Sequence, residues 1–256
     1  MYLISLTLER RRSKAMEIKS LDIETIKHIQ SLHSGNLDII MDESEKYLYF
    51  DNGTLKLHND DKDFHIDFNS TDVLNRINPK LKKCSVIQAV EGKKKGTLEI
   101  LDTTAGLGRD MFTLASRNHN VTAIEQDIYI YLLLADALLR ATNLPNLAQI
   151  AKNITLINNN SNDYIKQTQK EFDCIYLDPM FPARRKSAKV KQNMQLLHTI
   201  VTNNEDANKS LFESSIHYKR AKKVIVKRPA NAELLSDKKP SSQLIGKANR
   251  FDIYSL

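Results

Sequence analysis

An acid, two prolines and an aromatic close the apolar run Tyr176-Leu177-Asp178-Pro179-Met180-Phe181-Pro182. Proline fixes φ and removes a backbone donor, so this loop is stiff and the Pro179 carbonyl can be aimed at a substrate. A second chemical stretch is Leu101-Asp102-Thr103-Thr104-Ala105-Gly106-Leu107-Gly108-Arg109-Asp110. Gly106 and Gly108 permit backbone angles and a close approach that a Cβ would forbid. A ligand can then rest on the main chain near the amide-rich start of a helix, although an ordinary strand-to-helix turn has the same pattern. Glu125 follows about 20 residues after this loop, where a carboxylate can accept hydrogen bonds from both hydroxyls of a ribose.

The elements around these residues alternate. Leu98–Leu101 reads as a strand, and Met111, Phe112, Leu114 and Ala115 give the helical pattern after the glycines. Val121–Ile124 is a β-branched run ending at Glu125, followed by a long helix through Ile130, Leu133, Leu134, Ala137 and Leu138. Asn153–Ile157, Phe172–Leu177 and Val224–Val226 are further strands, with helical patterns at Tyr164-Ile165, Met194–Val201 and Leu211–Tyr218. Strands alternating with helices predict a parallel sheet covered on both faces. Ligands of such sheets bind beyond the carboxyl ends of the strands, where Asp102, Glu125 and Asp178 all fall. Upstream, residues 1 to about 35 read as helical, with an apolar stripe at Leu21, Ile23, Ile26, Ile29 and Leu32. Leu37–Ile40, Tyr47–Phe50, Thr54–Leu57 and Phe64–Phe68 are short β-type runs, and Asp51-Asn52-Gly53 is a hairpin turn. We expect a small α+β cap over residues 1–70, a basic connector over 71–96 and one α/β domain over 97–256.

The chain has 256 residues, is 41% hydrophobic and carries a net charge of +7. The charge is uneven: residues 180–256 hold 16 Lys/Arg against 6 Asp/Glu, while the rest is slightly acidic. Such asymmetry fits a polyanionic partner or a solvated lysine-rich surface. No apolar run approaches the length of a membrane span, and the basic residues Arg10–Arg12 follow rather than precede the apolar start, the reverse of an export signal. Met16 is a second candidate start. Cys84 and Cys174 are far apart and belong to no metal-binding spacing, which predicts no structural zinc and a reduced, cytoplasmic setting.

Asp-x-x-x-Gly-x-Gly resembles the first motif of S-adenosylmethionine-dependent methyltransferases. Asp178-Pro179-Met180-Phe181 resembles the Asp/Asn-Pro-Pro-Tyr/Phe motif of enzymes that methylate exocyclic amines, with Met180 in place of the second proline. In those enzymes the acid and a loop carbonyl accept the amine hydrogens while the aromatic stacks on the base. Arg184, Arg185, Lys186, Lys189 and Lys191 follow directly, where phosphates flanking a target nucleotide would lie, and Lys227 and Arg228 add to them. Together with Val226-Lys227-Arg228-Pro229 and the tail Arg250-Phe251-Asp252-Ile253-Tyr254, these stretches resemble the bacterial RsmJ family.

That resemblance implies a Rossmann-like class I methyltransferase fold with S-adenosylmethionine as cofactor, no metal, and 16S ribosomal RNA or the small ribosomal subunit as partner. It implies transfer to the N2 amine of a guanine, with Asp178, Pro179 and Phe181 handling the base. Arg109, Asp110, Glu125, Gln126, Asn160, Ser161 and Asp178 would meet the cofactor beside Gly106 and Gly108. Asp102 either holds the glycine loop or meets the methionine amino group. Arg109 either binds the methionine carboxylate or forms a surface ion pair, and Asp110 caps backbone amides. Two rival functions share these residues: methyl transfer to a protein or small-molecule amine, and RNA binding without catalysis.

Overall fold

The computed structural model describes residues 16–35, 37–43, 46–60, 62–78, 80, 84–94, 96–179 and 205–256. Met180, Phe181, the Arg184–Lys191 basic run and the expected Met194–Val201 helix lie outside them. The chain divides into two compact units, Met1–Asp63 and Phe64–Leu256.

In the first unit, β1 (Met16–Ser20), α1 (Ile23–Leu32), β2 (Leu37–Met41), β3 (Lys46–Asp51), β4 (Thr54–Asn59) and β5 (Lys62–Phe64) form a sheet ordered β2-β1-β3-β4-β5. Met16–Ser20 is a strand between two neighbours, not the helix that the stripe suggested. Ile18 is fully buried, and Asp22 starts α1 by accepting a hydrogen bond from the Thr25 amide at 2.7 Å. Asn52 and Gly53 take positive φ in the tight turn joining β3 and β4, as a two-residue hairpin requires.

The break falls at 63/64 rather than at 70/71 because the following stretch packs into the second unit. Phe64 is the last residue of β5, and the extended run predicted to continue to Phe68 is not strand. Phe68 instead stacks flat on Phe112 with centroids 4.2 Å apart, both rings buried. The expected connector is largely two short helices, α2 (Thr71–Ile77) and α3 (Ser85–Glu91).

The second unit continues with β6 (Glu99–Asp102), α4 (Arg109–Ala115), β7 (Asn120–Glu125), α5 (Ile128–Thr142), α6 (Ala148–Lys152), β8 (Ile154–Asn158), α7 (Ser161–Gln167) and β9 (Cys174–Leu177). It closes with α8 (Glu205–His217), β10 (Lys223–Pro229), β11 (Ser242–Ile245) and β12 (Asn249–Ser255). Among the described residues the sheet has seven strands in the order β11-β12-β10-β9-β6-β7-β8. The five from β10 to β8 are parallel, and β12 runs antiparallel between β10 and β11. Leu101, Ile175, Leu177, Val224 and Val226 pack with Ile165 of α7 and Leu211 and Phe212 of α8. The alternate residues Ile100, Tyr176 and Ile225, equally buried, belong by the two-residue period to the other face. Strand order reverses between β6 and β9, so a crevice opens beyond their carboxyl ends, where such sheets bind ligands.

Candidate functional site

The glycine turn sits at that crevice and is tied to both flanking strands. The Thr103 amide and hydroxyl both donate to the Tyr176 carbonyl at 3.0 Å, and the Ala105 amide donates to the Ile124 carbonyl at 3.1 Å. The Asp178 amide donates to Thr104 Oγ1 at 2.7 Å, so the acid loop and the glycine turn share a hydrogen bond. The two glycines have different reasons to be glycine. At Gly108 (φ +73°) a Cβ would lie 2.7 Å from Leu134 Cδ2 and Met111 Cε and 2.9 Å from Phe68 Cζ, so its absence lets helix and core close together. At Gly106 (φ +52°) a Cβ would meet only the Thr104 carbonyl at 3.8 Å, which leaves its surface open to a ligand.

Carboxylates surround the turn. Asp102 is 1% exposed and accepts from the Thr104 amide at 3.0 Å, a bond within the glycine loop. Glu125 accepts from the Gly106 amide through Oε2 and from the Asp127 amide through Oε1, both at 2.9 Å. A carboxylate has about four acceptor sites, so Glu125 keeps capacity for a ligand hydroxyl. Burial pushes both carboxyls up to about 7, against the partial relief of those amides. Beside Glu125, exposed Gln126 accepts from Asn160 Nδ2 at 3.3 Å, and Ser161 donates to the Thr103 carbonyl at 2.6 Å. Asn160 also caps α7 by accepting from the Asn162 amide at 2.9 Å. Glu125, Gln126, Asn160 and Ser161, drawn from two strand ends, thus meet at one rim of the turn.

On the other side of the turn the structure corrects three expectations. Asp110 does not cap backbone amides. Its carboxylate accepts from Arg76, from the Tyr176 hydroxyl at 2.7 Å and from Lys227 Nζ at 2.8 Å. Burial opposes its charge, but Lys227 and Arg76 outweigh that and hold it below the usual carboxylate range. Lys227, expected to face a phosphate, has its ammonium between Asp110 and Asp178, 2.6 Å from Oδ2 of the latter. Arg228 is 4% exposed and donates to the Glu233 carbonyl, because the β10 pleat turns it inward. Arg109 pairs with Asp72 at 2.8 Å, the surface-pair alternative. Asp178 is driven up to about 6 by burial, with Lys227 limiting the rise. Pro179 is buried directly after it.

Sequence reasoning passed over Arg76 and Tyr176, which anchor Asp110, and Thr104, which joins the two loops. The alternation Ile225, Lys227 in β10 was the signal for Lys227, since it puts the lysine on the same face as Ile225 rather than on a free surface. Among the described residues no group of three or more His, Cys, Asp or Glu could hold a metal ion, and no helix is long and apolar enough to cross a membrane.

A family model of SAM-dependent methyltransferases matches residues 32–256. The ribosomal RNA small subunit methyltransferase J of Francisella philomiragia is 56% identical over 236 residues, 92% of this chain and 98% of that protein. The protein of the same name from Francisella tularensis subsp. novicida is 55% identical over 241 residues, 94% of this chain and the whole of that one. A solved SAM-dependent methyltransferase from Neisseria gonorrhoeae superposes with a TM-score of 0.71 at 28% identity, covering 94% of this chain and 96% of that structure.

Proposed function

The chain belongs to the SAM-dependent methyltransferase family and, within it, to the ribosomal RNA small subunit methyltransferase J group, and from that membership we propose that it methylates the N2 amine of a guanine in 16S ribosomal RNA. The observation that carries the residue roles is the hydrogen bond between the Asp178 amide and Thr104, which brings the acid loop to the glycine turn.

The residues at the turn fit S-adenosylmethionine: an open surface at Gly106, a carboxylate with spare acceptors at Glu125, and two adjoining exposed amides. When bound, the cofactor would supply an electrophilic methyl carbon on a sulfonium, with a thioether as leaving group. Glu125 would accept hydrogen bonds from the ribose hydroxyls, and Gln126, Asn160 and Ser161 would hold the adenosine. Gly108 lets the turn pack closely, and Asp102 keeps it in shape. The side chain of Asp178 and the carbonyl of Pro179 accept the amine hydrogens, which orients the nitrogen lone pair. Phe181 stacks on the guanine. Asp178 takes up the proton that the methylated amine releases and passes it to water. Transfer of this kind depends more on alignment than on acid strength, so most of the rate comes from holding the amine in line.

A base must leave its stack before its amine can be reached, which suits a structured RNA with accessible loops. Arg184, Arg185, Lys186, Lys189 and Lys191 contact the flanking phosphates. The partner is 16S RNA, free or within the small subunit, and the setting is the cytoplasm. Mass mapping of 16S RNA from a deletion strain tests this: one methylguanine should be missing and should return with the wild-type gene. Unchanged RNA, with labelled methyl passing instead to protein in the deletion extract, would transfer the activity to a protein amine. Parallel assays on naked 16S RNA and on isolated small subunits identify which form is the substrate.

A further inference from the structure

Lys227 reaches Asp178 because of strand register. Leu177 of β9 pairs with Val226 of β10, so the next residue of each strand, Asp178 and Lys227, also lie side by side. The two-residue period puts both on the face of Tyr176 and Ile225, where α4 supplies Asp110. Lys227 Nζ lies 2.6 Å from Asp178 Oδ2 and 2.8 Å from Asp110 Oδ2. Asp110 is fixed in turn by Arg76 and by the Tyr176 hydroxyl. Two of the three ammonium hydrogens are therefore committed inside the protein, on carboxylates that a phosphate would have to displace.

We propose that Lys227 is a positioning residue for methyl transfer, holding Asp178 by Oδ2 and leaving Oδ1 to accept the amine. The inference rests on the reaction proposed above. The groups facing Asp178 are Lys227 from β10, Asp110 from α4, Arg76 from α2, Asp102 from β6 and the Tyr176 hydroxyl from β9. Two cations thus face Asp110 and Asp178, with buried Asp102 behind them. Removing the nearer cation leaves Asp178 beside Asp110 with one oxygen unrestrained, so it both protonates more readily and loses its aim. An ion pair spanning β9, β10 and α4 also links the acid loop to the helix that the glycine turn begins.

The test compares the wild type with Lys227→Met, Lys227→Arg and the double variant Lys227→Met/Asp110→Asn, each checked for folding by circular dichroism. In Lys227→Met the acidic limb of the pH–rate profile should move up by about a pH unit or more, with transfer at pH 6.5 lower by about threefold or more. Lys227→Arg should bring the limb back towards its wild-type position. The double variant also removes the Asp110 charge that repels Asp178, and should show a smaller displacement of the same sign. A carbon-13 NMR titration of the Asp178 carboxyl in the protein alone should move in the same direction, without any turnover. The salt dependence of RNA binding should be unaltered. An unmoved limb and titration in a folded variant would overturn the proposal, as would a salt slope shallower by about one, the mark of a lost phosphate contact. Failure of the wild type to methylate 16S RNA would instead sink the reaction, while the titration would still report what Lys227 does to Asp178.

Discussion

Asp178 and Glu125 are both carboxylates at the crevice, yet their surroundings prepare them for different work. Asp178 is held through one oxygen by Lys227 and is about a third exposed, so its other oxygen can meet a substrate. Glu125 is 8% exposed and spends both oxygens on the amides of Gly106 and Asp127. Asp178→Ala should therefore abolish methyl transfer in single-turnover assays while lowering cofactor affinity only modestly in calorimetry. Unchanged turnover would remove Asp178 from the reaction. In the role proposed for it, Glu125 must ionise to accept hydrogen bonds from the ribose hydroxyls at full strength, and burial raises its pKa to about 7. Cofactor affinity should then rise with pH between about 6 and 8, by up to about tenfold per unit on the acid side. Glu125→Gln should bind more weakly and without that pH dependence, since an amide does not titrate. A pH-dependent variant would place the titrating group elsewhere.

At the scale of elements, the glycine turn works because the start of α4 can approach Leu134 of α5 and Phe68 closely. A methyl group at Gly108 would overlap Leu134, Met111 and Phe68 in a backbone conformation that already disfavours side chains. Gly108→Ala should cost about 1–3 kcal/mol or more in urea denaturation, whereas Gly106→Ala meets open space and should cost less. Equal losses would show that backbone strain rather than packing dominates. Phe68 ends a run that reads as a strand of the first segment, but its ring lies flat on Phe112 of the second unit. Phe68→Ala should cost about 3–5 kcal/mol, a loss that an exposed strand-end residue would not show.

For the whole molecule, the same burial that prepares the site sets its pH behaviour. Asp102 and Glu125 have folded-state pKa values near 7, above those of an unfolded chain. Between about pH 4 and 7 the folded protein therefore holds protons that the unfolded chain has released, and stability from these two groups falls as pH rises through that window. Asp102→Asn can still accept from Thr104 but does not titrate, so it should be more stable than wild type at pH 8 in thermal denaturation. A less stable variant would mean that the ionised carboxylate helps the fold. The basic run after the acid loop belongs to the same scale. Replacing Arg184, Arg185 and Lys186 together should weaken RNA binding and flatten its salt dependence, by a slope of about one per lost phosphate contact. An unaltered slope would return those charges to an ordinary solvated surface.

Local chemistry made much of this protein legible from its sequence. Glycines between a strand and a helix, an acid at a strand end and a proline-bound loop are determined by φ/ψ preference and side-chain period, which act over a few residues. The alternation of strands and helices likewise announced the parallel sheet. What only the tertiary structure decided was how distant polar groups share a space. Lys227 and Arg228 look like surface cations in one dimension. The β9/β10 register sets Lys227 beside Asp178, and the pleat buries Arg228. Asp110 looks like a helix-start acid until Arg76, Tyr176 and Lys227 converge on it from three elements. Pairing of buried charges depends on distances across the fold, and the pattern along the chain carries no measure of those distances.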